Sequence, residues 1–219
     1  MPRPASASSG ATAPVTLVLA TRNRGKVREL EALLDGLAVR VRTLDDYPHV
    51  PVLTEDGQTF AENAIGKAAA VARLTGEIAL ADDSGLEVDA LGGAPGVASA
   101  TFLGPAATDD DRNQWVLSRL RGLDPGLRTA RYRAVIAVAL PDGPVRTFEG
   151  TCEGQIAQEP RGHHGFGYDP IFFVPAYGRT MAELPPEIKN RISHRARALA
   201  AARPYLVEVI EAAGGRRPG

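Results

Sequence analysis

The sequence predicts an α/β protein on a mixed sheet, parallel in its first part and antiparallel later. Two patterns carry the prediction. Early in the chain, short apolar runs are followed by a loop and an amphipathic helical pattern, as in parallel βα units. In the middle, the strong strand Arg131 to Leu140 (RYRAVIAVAL) meets a Pro-Asp-Gly turn. Two further strand-like runs follow, at 145–150 and 152–156, which predicts an antiparallel meander. With 219 residues and 44% hydrophobic side chains, the chain can bury a sizeable core, and disorder throughout is excluded.

Taken in order, Val15 to Ala20 is a short apolar run and hence a buried strand. Thr21-Arg22-Asn23-Arg24-Gly25-Lys26 follows, then a helix with Val27, Leu30, Leu33 and Leu34 on one face. This segment brings a hydroxyl, an amide, a glycine and three cations to a helix N-terminus, where unpaired N–H groups and the dipole favour anions. A phosphate cradle and a basic, solvated turn both fit the segment taken alone. The GxxxxGK[ST] spacing of a Walker A loop is absent. Val39 to Leu44 is a second strand. A Pro-rich loop then leads to Glu55-Asp56-Gly57. Thr59-Phe60-Ala61-Glu62 is a capping box opening a helix whose apolar stripe is Ala64, Ile65, Ala68, Val71 and Ala72. Glu62 and Asn63 lie in its first turn, where they could also face a metal; the cap is the favoured reading.

Ile78-Ala79-Leu80 reads as a buried strand that ends in AlaAspAspSerGlyLeu, 81–86. A strand end delivering acids to a loop is a common way to build a metal or general-base site. The same run is also good turn chemistry. Neighbours on an extended chain point to opposite sides, so Asp82 and Asp83 are expected to differ in role, one holding the loop and one facing a ligand. Asp109 to Leu120 reads as a helix. In Gly165-Phe166-Gly167-Tyr168-Asp169-Pro170, two rings stand among glycines in a chain with only 5% aromatic residues, which suggests stacking surfaces; core aromatics are the plain alternative. The strand Ile171 to Val174 follows. In one unbroken helix Lys189 and Arg195 would lie about 120° apart at ~100° per residue, so they converge more easily with a break between them. Ser193 is a good N-cap for a second helix through Leu199 to Ile210, which Pro204 is expected to bend or divide.

Composition excludes some classes of function. A formal net charge of −1 argues against wholesale nucleic-acid binding, so a polyanionic ligand must meet a local basic cluster. The single cysteine, Cys152, cannot form an internal disulfide, which suits a reducing cytosol and a cytoplasmic location. No stretch approaches the ~18 apolar residues of a membrane span. Residues 1–14 read as a disordered tail, 15–213 as one compact unit, and 214–219 as a frayed end.

Five stretches in order resemble the inosine triphosphate pyrophosphatase family: LATRNRGKVREL at 19–30, TFAENAIGKA at 59–68, ALADDSGLEVDALGGAPGV at 79–97, EPRGHHGFGYDPIFFVP at 159–175 and ISHRARAL at 192–199. The resemblance implies two α/β lobes on a long mixed sheet with flanking helices, the active site in the cleft between them, and a homodimer. It implies Mg²⁺-dependent hydrolysis of ITP, dITP and XTP to the monophosphate and pyrophosphate. It further implies Asp83 as the proton acceptor and a metal ligand, with Glu55 a second candidate ligand, and Ser84 against the substrate. Thr21, Arg22, Asn23, Arg24, Gly25 and Lys26 would cradle the phosphates. Phe166 would stack on the purine, with Gly167, Tyr168 and Asp169 beside it. Lys189, His194 and Arg195 would donate to the 6-oxo group and reject adenine. The sequence departs from the family pattern at Thr54, Ala98, Thr101, His163 and His164. Rival readings are a house-cleaning enzyme for other modified nucleotides, a nucleotide-binding regulatory module without turnover, and an RNA-binding protein, which the charge balance disfavours.

Overall fold

Seven strands form one sheet in the order β2-β1-β3-β4-β5-β6-β7, in a computed structural model that describes residues 14–215. Of the tails read at 1–14 and 214–219, residues 1–13 and 216–219 lie outside the described residues. The strands are β1 (Val15–Leu19), β2 (Val39–Thr43), β3 (Ile78–Val88), β4 (Thr129–Ala139), β5 (Val145–Ile156), β6 (Phe172–Val174) and β7 (Arg179–Thr180). The helices are α1 (Arg24–Leu34), α2 (Phe60–Thr75), α3 (Asp109–Arg119), α4 (Pro186–Ile192) and α5 (His194–Gly214). β1 pairs parallel with β2 and β3, and every later pairing is antiparallel. The sheet is therefore mixed in the sense the sequence predicts.

Alternation along the long strands builds the core. Ile78 and Leu80 of β3 join Ala134, Ile136 and Val138 of β4 under α1 and α5, while Ala79 and Ala81 join Val135, Ala137 and Ala139 under α2. Small residues on that second face let the alanine-rich stripe of α2 come close. Farther along the same strands, Leu86, Val88, Ala130, Tyr132, Cys152 and Ile156 belong to a third cluster with Phe172 and Met181. The polar run Asp82–Ser84 falls on β3 between the first two clusters and the third. Gly150 of β5 is a contact point: a Cβ there would overlap the His194 carbonyl oxygen and the Ala198 amide of α5.

Four expectations are corrected. Asp82-Asp83-Ser84-Gly85 is neither a loop nor a turn, because β3 continues through it to Val88, fully paired with β4. The strand that ends here is β1, whose Leu19 stands opposite Leu80. From Ala81 onward β3 has β4 on one side and no β1 partner on the other, where the Asp82 carbonyl instead accepts from Lys26 and Lys67. Arg24, Gly25 and Lys26 lie within α1 rather than in a loop before it. The runs 145–150 and 152–156 are one strand. Pro204 does not divide α5, which continues to Gly214 and takes in the first residue of the expected frayed end.

Candidate active site

The β1–α1 connection delivers the basic cluster. Asn23 is the N-cap of α1, its Oδ1 accepting from the amides of Gly25 (2.9 Å) and Lys26 (3.1 Å). These two amides are thus taken by the cap. Arg22 donates to the Val50 carbonyl at 2.9 Å, tying this connection to the 45–58 loop. Lys26 Nζ lies 2.9 Å from Asp82 Oδ2.

Asp82 and Asp83 leave β3 on opposite faces, as extended geometry requires. Asp82 Oδ2 meets Lys26, Arg195 (3.2 Å) and the Ser84 hydroxyl (2.9 Å). Burial alone would raise this carboxyl, but Arg195 and Lys26 overcome it and hold Asp82 well below the usual carboxylate range. Asp83 faces α2, accepting from Asn63 Nδ2 at 3.1 Å and Lys67 Nζ at 3.3 Å. Lys67 also reaches Glu55 at 2.5 Å. For Asp83 the balance reverses: burial pushes the carboxyl up, and Lys67 and Lys26 recover only part of the shift. Lys67 is itself buried, yet Asp83 and Glu55 outweigh that cost and hold its ammonium more firmly protonated than a free lysine.

The break expected between Lys189 and Arg195 is present. Lys189 ends up on α4, and Ser193 closes α4 and N-caps α5, its hydroxyl accepting from Ala196 N. Glu29 of α1 binds both cations, pairing with Lys189 Nζ (2.7 Å) and Arg195 Nη1. Lys189 also pairs with Asp169, which accepts from Tyr132 Oη (3.2 Å) and Phe166 N (2.9 Å). His194 stacks on Tyr132 with ring centroids 4.5 Å apart, and its Nδ1 is buried without a partner. Burial, reinforced by Arg195, drives the imidazole well below its usual pKa, so it is neutral at physiological pH. The Phe166 ring lies against Gly25, with Lys189 Nζ 4.9 Å and Arg195 Cζ 5.7 Å from its centroid.

One cavity of about 410 Å³ gathers these groups. Of the residues singled out from the sequence, Thr21, Arg22, Asn23, Lys26, Glu55, Asp83, Ser84, Phe166, Gly167, Tyr168, Asp169, Lys189, His194 and Arg195 line it; Arg24, Gly25, Glu62, Asn63 and Asp82 do not. Gly25 instead makes room for Phe166. Tyr168 is not a free ring: it is buried among the third cluster, donates to the Ser99 carbonyl at 2.9 Å, and keeps its phenol up at about 12 through burial.

The Ham1 family model matches residues 17–205. This chain belongs to the Ham1 family. It is 56% identical over 183 residues to a dITP/XTP pyrophosphatase of Desulforamulus reducens, covering 84% of this chain and 91% of that one. A dITP/XTP pyrophosphatase of Geobacter sulfurreducens is 53% identical, covering 87% and 96%. Among solved structures, a HAM1 protein from Coxiella burnetii superposes with a TM-score of 0.80 at 46% identity, covering 89% of this chain and 99% of that one. These likenesses agree with the family resemblance drawn from the five motifs.

Sequence reasoning missed several members of this candidate site. Lys67 carried a signal: it stands four residues after Asn63 within the apolar stripe of α2, and both are buried there. Glu29 and Tyr132 carried none, since their partners are remote in sequence. For a divalent cation, the donor set is Asp83 and Glu55, two carboxylates that already bracket one cation, the Lys67 ammonium. Among the described residues no cluster of three or more His, Cys, Asp or Glu is placed to hold a metal. Two carboxylates suit Mg²⁺, which keeps waters and takes further oxygens from substrate phosphates.

Proposed function

We propose that this protein hydrolyses non-standard purine nucleoside triphosphates (ITP, dITP and XTP) to the monophosphate and pyrophosphate, removing deaminated purines from the nucleotide pool. The observation that carries the reading is one cavity with two chemically distinct ends. At one end a carboxylate of raised proton affinity, Asp83, stands beside Lys67 and Glu55. At the other, the cations Lys189 and Arg195 flank an aromatic ring, Phe166, and neutral His194 lines the same cavity. The likeness to dITP/XTP pyrophosphatases over most of the chain supports the same substrates.

In this reading Asp83 takes a proton from water as the water oxygen attacks the α-phosphorus. The bond to the bridging oxygen breaks, and pyrophosphate leaves with that electron pair. Asn63 and Lys67 orient the Asp83 carboxylate. When bound by Asp83 and Glu55, Mg²⁺ supplies neutralisation of phosphate charge. Lys26 and Arg22 attract the β- and γ-phosphates. Phe166 stacks on the purine, and donors among Lys189, His194 and Arg195 pair with its 6-oxo group. An amino group there would face donors with a donor, at about 1–3 kcal/mol for each unpaired group.

The unit spanning 15–213 acts as two lobes around this cleft, as a homodimer in the cytoplasm. Among the described residues no helix is long and apolar enough to cross a membrane. The test is to supply Mg²⁺ and ITP, XTP, dITP, GTP, ATP or a pyrimidine triphosphate and to identify the product. Fast pyrophosphate release from ITP, dITP or XTP with little from ATP is expected. Orthophosphate release, or equal rates on all bases, overturns the reading.

A further inference from the structure

We propose that Asp109 and Asn113 of α3 are positioning residues for the purine, clipping the backbone of Gly167 so that Phe166 is held ready to stack. Gly167 N donates to Asp109 Oδ2 at 2.8 Å, and Asn113 Nδ2 donates to the Gly167 carbonyl at 3.1 Å. Both polar groups of a single residue are thus held by one helix. The two clip residues stand four apart, hence on one face of α3. Asp109 is not needed as a cap, since Asp111 closes the capping box with Thr108.

The loop needs such anchoring. Phe166 lies between Gly165 (φ 78°) and Gly167 (φ 62°), both in the left-handed region. A glycine on each side gives the ring the greatest backbone freedom, and fixing it costs conformational entropy. Asp169 pins the loop from within through Phe166 N. The clip pins it from a separate element, beyond the side of Phe166 that Asp169 holds. Asp109 and Gly167 both line the cavity, so the clip lies at its wall. The proposal rests on the functional reading above, which requires Phe166 to meet the base.

The test compares ITP turnover in the wild type, Asp109→Ala, Asp109→Asn and Asn113→Asp, with inorganic tripolyphosphate as a competing ligand that has no base. Asp109 is exposed, so its variants are expected to keep their thermal midpoint. Asp109→Ala should raise KM for ITP about tenfold, with kcat changing much less. Asp109→Asn keeps an oxygen acceptor for Gly167 N and should recover most of the loss. Asn113→Asp sets a carboxylate against the Gly167 carbonyl and should raise KM at least as far. The inhibition constant of tripolyphosphate should not move. Unchanged KM in both Asp109→Ala and Asn113→Asp overturns the clip, as does a tripolyphosphate constant that rises in step with KM. A wild type inert toward ITP, XTP and dITP is recognised before any variant is made and overturns the functional reading together with the clip.

Discussion

Asp82 and Asp83 are adjacent on β3, yet one carboxylate is locked among cations and the other is held beside a single buried lysine. Asp82 Oδ2 meets Lys26, Arg195 and Ser84, and so ties α1 to α5 across β3. Asp83 sits with Asn63 and Lys67 and has a raised affinity for protons. The first arrangement suits a fixed charge and the second a proton acceptor.

Substitution should separate the two. Asp83→Asn is expected to lower kcat about 10²- to 10⁴-fold while leaving ITP affinity nearly intact. Asp82→Asn removes a fully buried partner of Lys26 and Arg195. It should cost about 3 kcal/mol of stability and raise KM. Steady-state kinetics with urea unfolding on both variants checks this; full turnover in Asp83→Asn removes Asp83 from the base role.

The sequence announced both acids but misplaced their setting. Alternation along an extended chain was enough to expect different roles for Asp82 and Asp83. That β1 stops opposite Leu80 while β3 continues is a matter of pairing register, which no local pattern carries. The break at Ser193 was legible because capping is local. Glu29 was not, because its partners Lys189 and Arg195 lie on α4 and α5, far along the chain. Asn63 and Lys67 occupy a middle ground: polar residues one turn apart on an apolar stripe mark a buried polar contact without naming its partner.

Removing Lys67 should expose how the acidic end is balanced. Lys67→Met removes the one cation in direct contact with buried Asp83, leaving Lys26 to offset burial and the charge of Glu55. Breaking such a buried pair costs about 3 kcal/mol, and the Asp83 carboxyl should rise further in pKa. The expected readouts are a lower urea midpoint and an acid limb of kcat/KM displaced to higher pH. An unchanged limb would mean that Lys67 does not set the Asp83 charge.

His194 gives a pH dependence of stability with a definite sign. The unfolded imidazole takes a proton below about pH 6.5, whereas the buried folded one does not until much lower pH. Below that point the unfolded state binds more protons, so stability falls as pH falls, by up to about 1.4 kcal/mol per pH unit from this residue. Above it the contribution is flat. Urea midpoints measured between pH 7.5 and 5 (~ the window on either side of 6.5) should decline in the wild type and decline less in His194→Gln. Parallel slopes would place the effect elsewhere.

Gly25→Ala should separate affinity from stability. Gly25 lies in the first turn of α1, where alanine improves intrinsic helix propensity by up to about 1 kcal/mol. Its Cβ, however, would sit 2.6 Å from Phe166 Cδ1 and 2.9 Å from Cε1, so the ring must move. Phe166 stands on a glycine-flanked loop and can move at little cost to the fold. The thermal midpoint is therefore expected to hold or rise, while KM for ITP rises about tenfold through the displaced stacking surface. Tripolyphosphate, having no base, should compete as well as before. A variant that loses stability and tripolyphosphate affinity together would show instead that Gly25 serves the packing of α1 and the phosphate end, and that the position of the ring is not what limits binding.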